Sequence, residues 1–478
     1  MMLSKKYILA LLLSAALISC DDYLDNKPKG YSIPTYMDDY ALLLNGMLLG
    51  YYGENYPAYI TDDAVLAESG VPTNVMFNQK TEYEQALYTF EHGNIFPTSM
   101  NDSYWEDSYK QIYVYNVVAN NILNVPDGTE AKKKELYAEA ITQRAFIYFS
   151  LVNSYAPQYT PQTADNYGVP LVLSEDISKT YVRNTIGEVY DKMVEDLEGS
   201  VEFLPDVATN KFHPDKATGY TLLAKVYLFM GKYSEALKAA NLAYNCNKAS
   251  KLIDYKLYHA LDGESSGRIV DDNEEQFPRS NINPESMFIK LPPNDLASDF
   301  LVSEELINLF EKDLPAGAVD KRREMFYAKD EANTYQKFEF PGYYMYIAHI
   351  MPNYGINYQE LLLILAECEA RNGSVENSLR YLNQLRDKRI VNNTPLAASD
   401  SKEALKLSLE ERRREMACWG CSRYFDLKRL NAEPEFAKTV VHKLGNAEYV
   451  LEPNDLRYVL PIPHNVLEFN PDIPQYDR

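Results

Sequence analysis

The sequence predicts a mainly α-helical protein: a tetratricopeptide-like helix-pair scaffold with long irregular loops and a less regular, loop-rich subdomain. Three observations carry that expectation. Small and apolar residues between Tyr220 and Ala243 have the spacing of a tetratricopeptide unit. The same frame returns between Leu362 and Leu385. The stretches around these helices are rich in Pro, Gly, Asn, Asp and Tyr, which favours turns over periodic elements.

The first helical region spans about 102–155. Tyr109, Ile112, Tyr113, Asn116, Val117, Asn120 and Leu123 recur at three- and four-residue steps, the period of one helix face. Val125-Pro126-Asp127-Gly128 reads as a loop, a second helix covers Tyr137 to Tyr155, and Pro157 stops it. Thr185 and Glu188 form a capping box ahead of the apolar stripe Val189, Met193, Val194 and Leu197, and Leu204-Pro205 ends that helix.

The first repeat unit comprises Tyr220, Leu223, Ala224, Tyr227, Gly231, Tyr233, Ala236, Leu237, Ala240 and Ala243. Ala224 and Ala236 let two antiparallel helices approach closely, and Gly231 falls at their turn. The second unit is Leu362, Leu365, Ala366, Gly373, Val375, Ser378, Leu379, Leu382 and Leu385; it departs from the first at Glu369 and Val375. Two units are too few for a free solenoid, so the pairs near 107–155 and 185–204 are expected to extend the stack. Long loops over 26–101, 251–300, 330–357 and 430–478 are the expected carriers of function.

The N-terminus points to export. Lys5 and Lys6 precede an apolar stretch from Tyr7 to Ile18, too short to span a bilayer comfortably. It ends in Leu17-Ile18-Ser19-Cys20, which resembles a bacterial lipobox, with Cys20 as the lipid attachment site. Each buried methylene is worth about 0.8 kcal/mol, so two or three acyl chains hold a soluble domain firmly on a membrane. The expected organisation is a leader over 1–19, an acylated N-terminus and tether over 20–36, and one composite domain over 37–478. That domain divides into helix pairs at about 102–250 and 358–430, loop-rich ligand-side segments at 37–101 and 251–357, and a C-terminal segment at 431–478. The leader carries two Lys and no acid, so its removal takes the net charge from -22 to -24. An acidic chain of this kind argues against nucleic acid as a partner and leaves neutral ligands open.

Few motifs suggest chemistry. Gly263-Glu264-Ser265-Ser266-Gly267 has the G-x-S-x-G spacing but is followed by Arg268-Ile269-Val270-Asp271-Asp272, with no helix pattern. His92, His213, His259, His349, His442 and His464 are scattered, and no two lie at i and i+4. Cys418-Trp419-Gly420-Cys421 has C-x-x-C spacing without a second pair or a nearby His, so it reads as two small residues at a helix end. Arg412-Arg413-Arg414, among Glu410, Glu411 and Glu415, reads as a solvated or salt-bridged helix face, and Arg423 and Asp426 as structural ties. No catalytic residues, metal or cofactor are expected. The composition is marked by 40 Tyr against 18 Phe and 2 Trp. Tyrosine suits both packing and binding surfaces, because its ring is apolar and its hydroxyl bonds.

The landmarks along the chain resemble the SusD/RagB family, in the family's order. They are Asp22-Tyr23-Leu24-Asp25 after the lipobox; Trp105, Tyr109, Ile112 and Asn116; Arg144-Ala145-Phe146; Gly168-Val169-Pro170-Leu171-Val172; Leu204-Pro205; Lys225-Val226-Tyr227-Leu228; Glu411 to Glu415; Gly420 with Arg423 to Arg429; and Tyr458 to Pro463. Cys418 and Cys421 are unusual for the family, and the terminal Gln475-Tyr476-Asp477-Arg478 is a variant tail. The resemblance implies a surface-exposed outer-membrane lipoprotein, not an enzyme, that captures an oligosaccharide and passes it to a SusC-like TonB-dependent transporter. The alternative is the same architecture capturing peptides, with a surface-anchored glycan hydrolase as a third reading. In the family the ligand platform draws on the loops before the first helix pair and on the region after the first repeat unit. Here those regions hold Phe77, Asn78, Tyr83 and Tyr88, and Tyr255, Tyr258, Phe277 and Arg279; Tyr343, Tyr344 and Tyr346 form a further cluster.

A direct expectation follows from the lipobox: Cys20→Ala leaves the fold intact and releases the protein from membranes. Fractionation checks it, and a variant that still pellets with the outer membrane contradicts the acyl anchor.

Overall fold

The computed structural model describes residues 34–478 apart from 54–55, 101, 264, 293–298, 313, 335, 349 and 351. The leader, Cys20, residues 21–33 of the tether, Glu264 and His349 lie outside the described residues.

The protein is mainly helical. Helices α1 (Met37–Leu44) and α2 (Glu82–Tyr88) precede the stack. The stack begins with α3 (Ser103–Asn121) and α4 (Glu130–Tyr155), followed by α5 (Ile186–Ser200), α6 (Lys216–Phe229) and α7 (Tyr233–Cys246). Each packs on the next. Their starts are set by side-chain caps: Asp102, Thr129, Thr185 and Asp215 each accept a backbone N–H of the first turn. The Thr185–Glu188 capping box forms as the sequence predicts. In the first repeat unit Ala224, Ala236, Ala240 and Ala243 are buried between α6 and α7. Gly231 turns the chain at φ +70°, a left-handed conformation that a Cβ would strain.

Two short helices, α8 (Glu304–Glu311) and α9 (Lys321–Phe326), lie in the loop-rich part. The stack resumes with α10 (Tyr358–Asn372), which packs on α7, and with α11 (Val375–Arg386) and α12 (Ser401–Met416), which both pack on α10. Helices α13 (Ser422–Asn431) and α14 (His464–Phe469) complete the set. One hydrophobic cluster runs from Tyr40 to Ile473 through all of these units.

The segment 330–357 departs from the expectation of irregular loops. A four-stranded antiparallel sheet takes the order β1 (Ala64–Val65), β5 (Leu301–Val302), β8 (Lys337–Tyr346), β7 (Tyr327–Asn333). Pro341-Gly342 interrupts β8 and reads as a break in the sequence. The ladder absorbs it with an irregularity after Lys329, where Asp330 adopts φ +65° and its carboxylate accepts the Gly342 N–H at 2.7 Å. Phe340 and Met345 then pack with Ala328, Ala332, Val71 and Val75 in a small second core. Four two-stranded pairs complete the strands: β2 (Tyr258–Ala260) with β3 (Ile269–Asp271), β4 (Ser286–Phe288) with β9 (Ile356–Asn357), β6 (Val319–Asp320) with β10 (Ile390–Val391), and β11 (Val440–Leu444) with β12 (Ala447–Leu451).

The arginine run of α12 is salt-bridged but not solvated. Arg412 and Arg414 are buried. Arg412 binds Asp426 at 2.7 Å and Glu360 at 3.2 Å; Glu411 binds Arg322 at 2.8 Å and Arg386 at 2.9 Å; Glu415 binds Arg389 and Arg322, both at 2.7 Å. Burial opposes ionisation of Asp426, but the Arg412 and Arg429 guanidinium groups outweigh it and hold the carboxyl at about 2. Arg423 pairs with Asp62 at 2.7 Å. Removing one member leaves a partner charge buried and unpaired, which costs about 3–5 kcal/mol. Glu411→Ala is therefore expected to lower unfolding free energy by about that amount, read from a urea denaturation midpoint.

Two buried lysines carry a pH dependence. Lys290 donates to the Leu49 carbonyl, to Tyr115 Oη at 3.2 Å and to Gln143 Oε1 at 3.2 Å; Lys428 donates to the Asn153 carbonyl and to that of Ala156 at 2.8 Å. Burial pushes both ammonium groups down to about 7, with Glu139 and Cys421 respectively opposing the shift. In the unfolded chain both keep their protons until about 10.4. Between these values the unfolded state binds more protons, so stability rises with pH. Denaturation midpoints at pH 7, 8 and 9.5 should show this rise, and Lys290→Met should flatten it. A pH-independent difference between the two proteins would contradict the assignment.

Candidate functional site

The sequence-predicted ligand residues fall on the two flanks of the β7–β8 hairpin. On the first flank, the chain runs from β1 through Ala67 to Met76, where the two residues form a parallel bridge. Phe77 donates its N–H to the Ala67 carbonyl at 2.9 Å. Thr81 and Glu84 make a capping box that starts α2. This places Phe77 and Tyr83 half-buried and Asn78 exposed. Phe77 lies 6.1 Å from Tyr88, whereas Tyr83 sits apart, edge-on to Tyr56 at 5.7 Å and tilted against Phe96 at 5.9 Å.

Tyr88 is not a surface ring. It is buried, stacks on His442 at 4.2 Å, and its hydroxyl accepts the Leu66 N–H at 3.1 Å. His442 is held between the Tyr88 and Thr61 carbonyls at 2.7 and 2.8 Å, and burial lowers its pKa. Tyr88 is thus a core residue, which corrects its expected place on the platform.

On the second flank Tyr255, Tyr258 and Phe277 come together, with Tyr255–Phe277 at 5.3 Å and Tyr258–Phe277 at 5.0 Å. Two of the three are again core. Tyr255 is buried under the Arg389 guanidinium, 3.8 Å from its ring centroid, and Phe277 is buried against Phe326 at 6.3 Å. Tyr258 remains half-buried and Arg279 exposed. Tyr346 is buried against Phe326 and Tyr327, while Tyr343 and Tyr344 stay half-buried on β8. Arg323 and Lys329 flank the Tyr344 ring at 5.2 and 5.3 Å. The accessible candidates are therefore Phe77, Asn78, Tyr83, Tyr258, Arg279, Tyr343 and Tyr344. Their backbone supports are fixed by the sheet and by the ring cluster beneath.

The G-x-S-x-G stretch opens into β3, whereas a nucleophile elbow leads from a strand into a helix. Ser265, the serine of the motif, is half-buried on a turn whose backbone is tied to β7 by the Asn333 N–H, which donates to the Ser265 carbonyl at 2.7 Å. Cys418 sits at φ +61°, and burial pushes its thiol pKa well up, away from the thiolate that redox chemistry needs. Cys421 is buried at the N-cap of α13.

An open cleft away from the hairpin was not legible in the sequence. It encloses about 590 Å³ between residues 44–51, 210–213 and 281–291. Tyr51 and Phe212 line it with exposed rings. The weak signal was Lys211-Phe212-His213, an aromatic within a polar turn just before α6.

Two families match the chain. Residues 22–228 match the one described as starch-binding and associating with the outer membrane, and residues 352–477 match the SusD family. SusD-like protein P2 of Formosa agariphila is 25% identical over 421 residues, covering 76% of this chain and 77% of the relative. SusD-like protein P25 of the same organism is 21% identical over 525 residues, covering 96% and 95%. Among solved structures, a putative sugar-binding protein of Bacteroides vulgatus superposes with TM-score 0.67 at 21% identity, covering 93% of this chain and 99% of that one. A laminarin-binding SusD-like protein superposes with TM-score 0.60 at 21% identity, covering 92% and 99%. With its helical stack, family order of motifs and these matches, the chain belongs to the SusD/RagB family.

Proposed function

We propose that this protein is a cell-surface lipoprotein that captures an oligosaccharide and delivers it to a SusC-like TonB-dependent transporter, without acting as an enzyme. The observation that carries this reading is the match of residues 22–228 to a family described as starch-binding and outer-membrane-associated. The accessible residues agree with it chemically. Half-exposed rings at Phe77, Tyr83, Tyr258, Tyr343 and Tyr344 offer faces for the C–H side of a sugar, and Asn78 and Arg279 offer hydrogen bonds to its hydroxyls. Each contact is weak, so capture needs several at once and favours a polymer over a monosaccharide. The described residues include no helix long and apolar enough to cross a membrane. Membrane attachment in this reading falls to the acylated Cys20.

Affinity electrophoresis against laminarin, starch and other neutral polysaccharides tests the reading. The protein is expected to be retarded by at least one polymer and to release no product from it on prolonged incubation. Phe77→Ala with Tyr258→Ala is expected to weaken that binding about tenfold, the equivalent of about 1.4 kcal/mol. Binding of peptides with no glycan retardation would replace the sugar with a peptide cargo, and steady product release would make the protein a hydrolase.

A further inference from the structure

We propose that the cleft between Tyr51 and Phe212 is a second sugar site, taking a segment of a neutral oligosaccharide. The inference rests on the glycan reading above and adds a contact surface to it.

The cleft is built before any ligand arrives. Its walls come from three chain segments joined by backbone hydrogen bonds. Ile289 donates to the Lys211 carbonyl at 2.7 Å, Leu291 to that of Gly50 at 2.8 Å, and Tyr52 to that of Leu291 at 3.0 Å. Lys290, beneath the floor, holds the Leu49 carbonyl. His213 clamps the rim, with Nδ1 2.6 Å from Glu139 Oε1 and Nε2 3.2 Å from Asn45 Oδ1. Little ordering remains to be done on binding, which is what preorganisation contributes to affinity.

The lining has a particular chemistry. Tyr51 is 39% exposed and Phe212 37%, so both rings offer a face to solvent. The Phe212 ring lies beside Gly50, where an added Cβ would meet Phe212 Cε1 at an ordinary contact distance of 3.4 Å. Asn210 and Asn281 add exposed amides beside the rings. The cationic groups are already committed: Lys211 donates to the Asn283 carbonyl, and His213 faces Glu139. The cleft therefore presents rings and amides, with Lys211 turned onto a backbone carbonyl and His213 onto a carboxylate, on a chain of net charge -22 that repels anions. A neutral, hydroxyl-rich ligand with an apolar ring face fits this lining. The volume of about 590 Å³ lies within the usual range for ligand pockets.

The test uses the full-length protein in detergent, with laminarin and starch and with short oligosaccharides of each, by isothermal titration and affinity electrophoresis. Tyr51→Ala with Phe212→Ala is compared with Phe77→Ala with Tyr258→Ala, and Tyr51→Phe serves as the conservative control. The cleft double variant is expected to fold normally by thermal denaturation, to lose about five- to tenfold in polymer affinity, and to bind one fewer short oligosaccharide per chain; Tyr51→Phe retains binding because the ring face persists. Unchanged affinity and stoichiometry in the cleft variant, while the hairpin variant loses binding, would overturn the second site and leave the capture reading intact. Loss of self-association or of transporter association from the cleft variant, with sugar binding unchanged, would assign the cleft to a protein contact and likewise overturn it. Absence of glycan binding by the unaltered protein would overturn both readings.

Discussion

Five consecutive charged residues of α12 hold the separate parts of this protein in one arrangement. Glu411 reaches Arg322 of α9 and Arg386 of α11. Arg412 reaches Glu360 of α10 and Asp426 of α13. Arg413 reaches Asp63 at 2.5 Å, next to β1, and Glu305 of α8 at 2.6 Å. Arg414 donates to the Leu309 carbonyl at 2.8 Å, and Glu415 pairs with Arg389, which also holds Glu285 at 2.6 Å. Consecutive helix positions point in different directions, so one turn of helix can address stack, sheet and loops together. A buried ion costs several kcal/mol wherever it lacks a partner, so any other packing of these units leaves one stranded. The network selects the arrangement more than it deepens the stability. The sheet and its loops are thereby held at a set position against the helices.

Helix pairing was legible because its signal is periodic. The alanines at 224, 236, 240 and 243 mark close contact wherever two helices meet, and Thr185 with Glu188 marks a helix start through local bonds alone. The β7–β8 hairpin was not legible, because Pro341 sits inside β8 and the compensating irregularity at Asp330 belongs to the partner strand. The α12 run was misread in part for a related reason. A block of Arg flanked by Glu on a helix looks solvated when only its own helix is considered. Its partners at Asp62, Asp63, Arg322 and Glu360 are distant in sequence.

The candidate platform shows the same limit. Loop position suggested exposure for Tyr88, Tyr255 and Phe277, yet each is buried in ring clusters of the loops themselves. Tyr88 packs under His442 of β11, and Tyr255 under Arg389 just beyond α11. Burial in such a region is decided by long-range partners that composition does not reveal. Phe77, Tyr83 and Tyr258 stay half-exposed because they pack at the edges of those clusters.

The tyrosine content therefore needs a structural account before a functional one. Tyr56 and Tyr155 donate to the buried Asp102 at 2.9 and 2.5 Å, which caps α3 in a site where burial raises its pKa. Tyr109 and Tyr148 donate to the carbonyls of Pro170 and Val172 at 2.9 Å each, and Tyr190 to Asn153 Oδ1 at 3.0 Å. In each case the ring packs against the core while the hydroxyl bonds a polar group, a pairing that phenylalanine cannot provide; the acceptors at Asp102, Pro170 and Val172 lie in irregular chain. A helical stack bordered by long non-periodic segments has many such groups to satisfy. Much of the tyrosine follows from that architecture, and the weight of a sugar-binding argument shifts from the number of rings to the few whose faces remain open.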